Sequence, residues 1–255
     1  MESQENIFKK LHDSFQNMEG RIHIIEDNMP LEQQIEYLIY SYYLRKRRRK
    51  KLNERDYNRC LEKLESVVLS KDEKKKILSV LASSSEIRAY RLLELYAQNP
   101  DEELVHWASM ALLESRMAIE TELLGEKHIY ISTGLGGKGE KLRYYVLMLS
   151  SMKKSFADYQ RKVIEKEFDY YLKDYDGEID RLTINDRYVE LVFLLPVTVN
   201  LKKTLDTVIT ECNQYGNFLA TSYIMTNVKE LSQDEINQVI KKYWKSQSKV
   251  IDRSE

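Results

Sequence analysis

Two short stretches carry residue types that could do chemistry. The first is the run Gly134, Leu135, Gly136, Gly137, Lys138 and Gly139, with Lys141 just beyond. Glycine amides can approach a phosphate closely, and a helix that follows adds its dipole. A P-loop requires G-x-x-x-x-G-K-[ST]. Here Glu140 follows Gly139 and the next segment reads as a strand, which excludes that motif and a dinucleotide fingerprint alike. Two readings stand: a flexible hairpin tip, or a loop whose Lys138 and Lys141 order on a phosphate backbone or a partner groove. The second stretch is Arg45, Lys46, Arg47, Arg48, Arg49, Lys50 and Lys51, with Arg55 and Arg59 one and two turns beyond. Sustained like charge destabilises a helix. The run is therefore either a solvated helix end favoured by the dipole or a contact for phosphates or an acidic protein face.

Other chemistry is sparse. His12, His23, His106 and His128 are isolated, with no H-E-x-x-H and no pair at metal spacing. Cys60 and Cys212 fall on apolar helix stripes, where thiols act as small hydrophobes. Glu190 stands alone in an apolar strand, as an edge carboxylate or a catalytic one, and there is no G-x-S-x-G. These residues predict no metal and no cofactor. The 18 tyrosines, against 6 phenylalanines, suit surfaces that pack while keeping a polar tip wet.

The chain that must position these residues has 255 of them, 42% hydrophobic and 32% charged, so it can build a core under an ionised surface. Forty Lys and Arg against 41 Asp and Glu give a formal charge of -1, which argues against bulk attraction to nucleic acid or membrane. No apolar run approaches the roughly 18 residues of a membrane span, and no cleavable leader is legible ahead of the first helix. Two distant cysteines fit a reducing cytoplasm.

Glycine placement divides the chain. None falls between Gly20 and Gly125, whereas four lie within Gly134–Gly139. The expectation is an all-α domain over residues 1–124 and an α+β domain over residues 125–255. In the first, stripes at Ile7, Phe8, Leu11, Phe15 and Met18, at Leu31, Ile35, Leu38, Ile39 and Tyr42, and at Tyr57, Cys60, Leu61, Leu64 and Val68 predict amphipathic helices. Ser70 with Glu73 forms a capping box, Ala89, Leu92, Leu93 and Tyr96 continue the series, and Pro100 opens the last helix, ending at Gly125. Such helices bury their stripes only against one another, as a helical bundle or a stack of helix pairs.

Residues 83–118 resemble a HEAT-type helical repeat. The resemblance is carried by Ser85, Glu86, Ile87 and Arg88 opening one helix, Pro100, Asp101 and Glu102 opening the next, and Ala108, Ala111 and Leu112 behind. With a degenerate neighbour at 70–82 it spans about residues 70–122. It implies a solenoidal scaffold with a concave binding face.

In the second domain, strands are expected at 127–133, 143–150, 178–184, 188–196 and 218–226. Helices are expected at 155–172, from Leu201 to Cys212, and from Ser232 onward. From Arg143 the order β-α-β-β-α-β-α contains a ferredoxin-like split βαβ. In that fold strand 143–150 is already flanked on both sides, so strand 127–133 must travel to an edge, or the domain must be two ββα units with a trailing βα. The function expected from these features is a non-enzymatic cytoplasmic adaptor. It would bind a protein or macromolecular assembly through its helical face, with Arg45–Lys51 and Gly134–Lys141 as contacts. The alternatives are an RNA- or ribosome-binding factor, and an enzyme using the glycine-rich loop and Glu190.

Overall fold

The structure is a computed structural model and describes residues 21–26, 29–47, 52–125, 128–152 and 154–251. The stripe expected at Ile7–Met18 lies outside the described residues. The chain is mixed α+β and divides into two compact units, one built on Met29–Ile131 and the other on Ser132 onward with Ile24.

The first unit holds five helices: α1 (Leu31–Arg47), α2 (Glu54–Glu65), α3 (Lys71–Ala82), α4 (Ile87–Gln98) and α5 (Val105–Leu124). Their starts follow from caps. The Asn53 side chain accepts from the Asp56 amide, Ser70 does the same for Glu73, and both carboxylates return to the cap amide. Gly125 ends α5 in the left-handed region at φ +66°. Helices α1, α3 and α4 all pack on α5. Their core joins Tyr37, Tyr57, Leu64, Leu78, Leu81, Leu93, Trp107 and Ala111.

Two expectations fail in this unit. A strand, β1 (Arg21–Ile24), precedes the helices and pairs with β2 (His128–Ile131), so residues 1–124 are not wholly α. This also answers where the strand expected at 127–133 goes: it leaves the main sheet for a two-stranded ribbon. The second failure concerns α1. Its stripe Ile35, Leu38, Ile39 and Tyr42 is exposed, while Gln34, Tyr37 and Ser41 are buried. The physical reason is a carboxylate. Glu114 on α5 accepts hydrogen bonds from Tyr37 Oη at 2.6 Å and from Ser41 Oγ at 2.7 and 2.8 Å, and Arg45 Nε lies 3.4 Å away. Polar anchoring outweighs apolar patterning in setting the rotation of this helix.

The second unit is an antiparallel sheet with helices. Its elements are β3 (Gly137–Lys138), β4 (Lys141–Ser150), α6 (Asp158–Asp174), β5 (Glu178–Ile184), β6 (Tyr188–Pro196), α7 (Leu201–Asn213), β7 (Leu219–Thr226) and α8 (Gln233–Ile251). Strands β4 and β6 are central, with Tyr144 opposite Phe193 and Leu147 opposite Glu190. Strand β5 flanks β6, with a register shift between Ile179 and Arg181. The other edge of β4 takes β3 and then β7. Helix α6 packs on β5 and α7 on β7, through Ile164, Phe168, Leu172, Leu205, Val208 and Cys212. A separate cluster joins Tyr145, Leu147, Leu149 and Val192 to Ile236, Val239, Ile240 and Tyr243 of α8.

Tyr144 lies in the sheet beside Phe193, with ring centroids 5.8 Å apart. Burial alone pushes its hydroxyl up to about 12. The folded value is raised above that of the unfolded chain, so the stability this group carries is intact below about pH 10 and is lost as pH climbs toward 12. Alkaline denaturation is expected to remove about 2–3 kcal/mol through this residue across that window. Tyr144→Phe should flatten that part of the stability–pH curve. An unchanged slope in the variant refutes the assignment.

Candidate functional site

The glycine run is a built turn. A Cβ at Gly134 would lie 1.8 Å from the Val228 carbonyl oxygen, and one at Gly137 would lie 2.4 Å from Ile24 Cγ2. Gly136 and Gly139 adopt φ of +68° and +59°, where a side chain is strained. Each of the four glycines thus has a steric or dihedral cause, and phosphate approach is not needed to explain them. Thr133 Oγ1 donates to the Gly136 carbonyl, and the Leu135 amide donates to Asn227.

The loop's cations are spoken for. Lys138 Nζ lies 2.8 Å from Glu178, and Lys141 Nζ bridges Asp176 at 2.9 Å and Glu178 at 2.8 Å. These two lysines hold the Glu178 carboxyl down to about 2, and the two carboxylates raise Lys141 in return. Beside them Arg143 reaches Asp180 at 2.6 Å and donates to the Leu135 carbonyl. The strap ties β3, β4 and β5 to one another.

Of the basic run, Arg48, Arg49, Lys50 and Lys51 lie outside the described residues, and Arg47 ends α1. Arg45 faces Glu114, and Lys46 Nζ sits 4.6 Å from the Tyr42 ring centroid. Arg55 and Arg59 are exposed on α2.

Glu190 has partners that the sequence does not announce. Tyr145 Oη donates to its Oε2 at 3.1 Å, and Asn185 Nδ2 donates to its Oε1 at 3.3 Å. Burial, followed by the nearby Glu190 charge, raises the Tyr145 hydroxyl far above its ordinary value, so this tyrosine stays protonated and donating. It is fully buried and no accessible nucleophile. Arg181 pairs with Glu230, the main cause of its raised pKa, with Glu190 and Tyr145 adding to it. Cys212 is buried, and burial pushes its thiol up to about 12, so it is inert at neutral pH. Among the described residues no group of three or more His, Cys, Asp or Glu could hold a metal. A groove of about 530 Å³ runs beside α7, lined only by that helix and its cap Asn200, apart from the Glu190 cluster.

A further cationic feature, which no motif marks, is on α8. Ser232 and Glu235 cap its start, and Ile236, Val239, Ile240 and Tyr243 turn toward the sheet. On the opposite side Lys241, Lys242 and Lys245 are exposed. No acidic residue occurs from Ile236 to Ile251. Whereas Lys138, Lys141, Arg143, Arg181 and Lys229 all meet carboxylates, these three lysines take no ion pair among the described residues. The signal was available in the spacing, since 241, 242 and 245 share one face of a helix whose apolar positions are 236, 239, 240 and 243.

No family model matches the sequence, and no curated protein matches it. Partial likeness is found among solved structures. A REP-associated tyrosine transposase bound to a REP hairpin matches at 10% identity and a TM-score of 0.31, over 38% of this chain and 61% of that one. A protein from Deinococcus radiodurans R1, provisionally described as a transposase, matches at 17% identity and 0.36, over 42% of this chain and 93% of that one. The adaptor reading is corrected accordingly. The matched structures are described as transposases, one of them provisionally, where the expectation was a non-enzymatic scaffold, and Lys138 and Lys141 of the glycine run already pair with Glu178 and Asp176 within the chain. Among the described residues, no helix is long and apolar enough to cross a membrane.

Proposed function

We propose that this chain binds a nucleic-acid backbone through the outer face of α8. The observation that carries the reading is the contrast in cation pairing: Lys241, Lys242 and Lys245 are exposed without carboxylate partners on a helix whose body has no acid. The helix dipole favours cations only in the last turn. Lys241 and Lys242 lie more than two turns before Ile251, so the dipole does not account for them. From Lys241 to Lys245 the row spans about 6 Å at 1.5 Å per residue, three cations within little more than one turn. A net charge of -1 over the whole chain is compatible with this, because phosphate contacts depend on local cation density. The strand order of the second unit is read here as ferredoxin-like, and helices α3 to α5 as HEAT-type pairs.

A second reading, an enzyme acting on the bound strand, is favoured by one specific arrangement. Glu190 is a carboxylate in an otherwise apolar strand, oriented by Tyr145 and Asn185 as a general base is oriented.

The test is fluorescence anisotropy of the full chain with a labelled single strand, a DNA hairpin and an RNA of the same sequence, across a salt series. Affinity should fall steeply with salt. Replacing Lys241, Lys242 and Lys245 together by Gln should lower the log–log slope by about 2–3 and weaken binding at least about tenfold. Salt-independent binding, or a triple variant with wild-type affinity and slope, overturns the proposal. The same samples on a denaturing gel report any strand cleavage.

A further inference from the structure

Helix α1 turns an apolar stripe to solvent. Ile35, Leu38, Ile39, Tyr42 and Tyr43 are 46%, 53%, 54%, 50% and 59% exposed. Their spacing of three and four residues makes one continuous seam along the helix. The opposite side is already occupied, with Tyr37 and Ser41 on Glu114 and Tyr37 and Tyr40 edge-on to Trp107. A lone exposed leucine needs no explanation, but five large apolar side chains in one row do.

The charges on the same helix indicate what covers the seam. Glu32 stands in its first turn and Lys46 in its last, whereas Glu36 already meets Lys75 and Arg45 meets Glu114 within the chain. We propose that α1 pairs antiparallel with α1 of a second copy of this chain, about a two-fold axis near Leu38 and Ile39. In that register Leu38 meets the other copy's Ile39, Ile35 meets its Tyr42 and Tyr43, and Glu32 meets its Lys46. At 3.6 residues per turn Glu32 and Lys46 lie on the same flank of the seam. An antiparallel pair brings like flanks together, so the Glu32–Lys46 pair forms twice, once in each half of an isologous interface. A parallel pair would instead set Glu32 beside Glu32 and Lys46 beside Lys46. One helix pair buries less than about 1,200 Å², so the dimer is weak and concentration-dependent.

The experiment is sedimentation velocity on the full chain, freed of nucleic acid, over roughly 1–300 µM, where weak interfaces populate. The average mass should rise toward two chains. Ile39→Lys, at an exposed position, should weaken association at least about tenfold with an unchanged melting temperature. Glu32→Lys should also weaken it, and adding Lys46→Glu should restore it, which only the antiparallel register predicts. A wild-type chain that stays monomeric throughout, an Ile39→Lys variant that associates as well as wild type, or a charge swap that fails to restore association overturns the proposal. None of these outcomes depends on the α8 reading, because no nucleic acid is present.

Discussion

Gly134→Ala is expected to destabilise the α+β unit by about 3–5 kcal/mol, among the largest effects a single methyl can have. The added Cβ would sit 1.8 Å from the Val228 oxygen, 2.7 Å from its carbonyl carbon and 3.0 Å from its Cα. All three are backbone atoms, so no side chain can swing away. Relief requires parting the loop from the segment after β7, which breaks the 3.0 Å hydrogen bond from the Leu135 amide to Asn227. Gly139→Ala is the control. It lies in the same run at φ +59° with nothing within 4 Å of a Cβ, and strain alone should cost it about 1–2 kcal/mol. Urea unfolding followed by amide exchange in β4 separates the two. A flexible hairpin tip would tolerate both substitutions equally, and equal costs would return the loop to that description.

The contrast between those two glycines illustrates what was legible in the residues and what was not. Local signals read well. The boxes at Ser70–Glu73 and Ser232–Glu235, the Asn200 cap and the stop at Gly125 are all realised, because each depends on atoms within a few residues. Strands 178–184 and 188–196 also stand where they are expected, on either side of Asn185 and Asp186. Non-local choices did not read. Four glycines in six residues suggested spare freedom, yet their partners are Val228, Ile24 and Lys141, which spacing cannot reveal. Strand β1 is four residues long, too short for a periodic signal, and its mate β2 lies a hundred residues away. The cationic face of α8 is legible in the spacing, although the run at 45–51 holds more consecutive cations.

The rotation of α1 is the case where patterning gave the opposite of the structure, and it leads to the second large effect. Glu114→Ala should destabilise the helical unit by about 3–5 kcal/mol. The Glu114 side chain is only 15% exposed and serves three donors from α1: Tyr37, Ser41 and Arg45. Removing it leaves two buried hydroxyls without an acceptor, each costing about 1–3 kcal/mol. Burial, with the neighbouring carboxylate adding to it, already raises Tyr37 well above its ordinary pKa, so the phenol cannot escape by ionising. The decisive comparison replaces donors and acceptor together, as Tyr37→Phe, Ser41→Ala and Glu114→Leu. If the cost of Glu114→Ala is an unpaired-group penalty, the triple variant should recover most of the lost stability. Trp107 reports the transition, since its ring lies 5.1 Å edge-on from Tyr37, and Trp244→Phe removes the other indole signal. A triple variant as unstable as Glu114→Ala would mean that the carboxylate acts by some route other than holding α1. A Glu114→Ala protein within about 1 kcal/mol of wild type would mean that apolar packing alone sets the helix, and the outward stripe would lose its explanation.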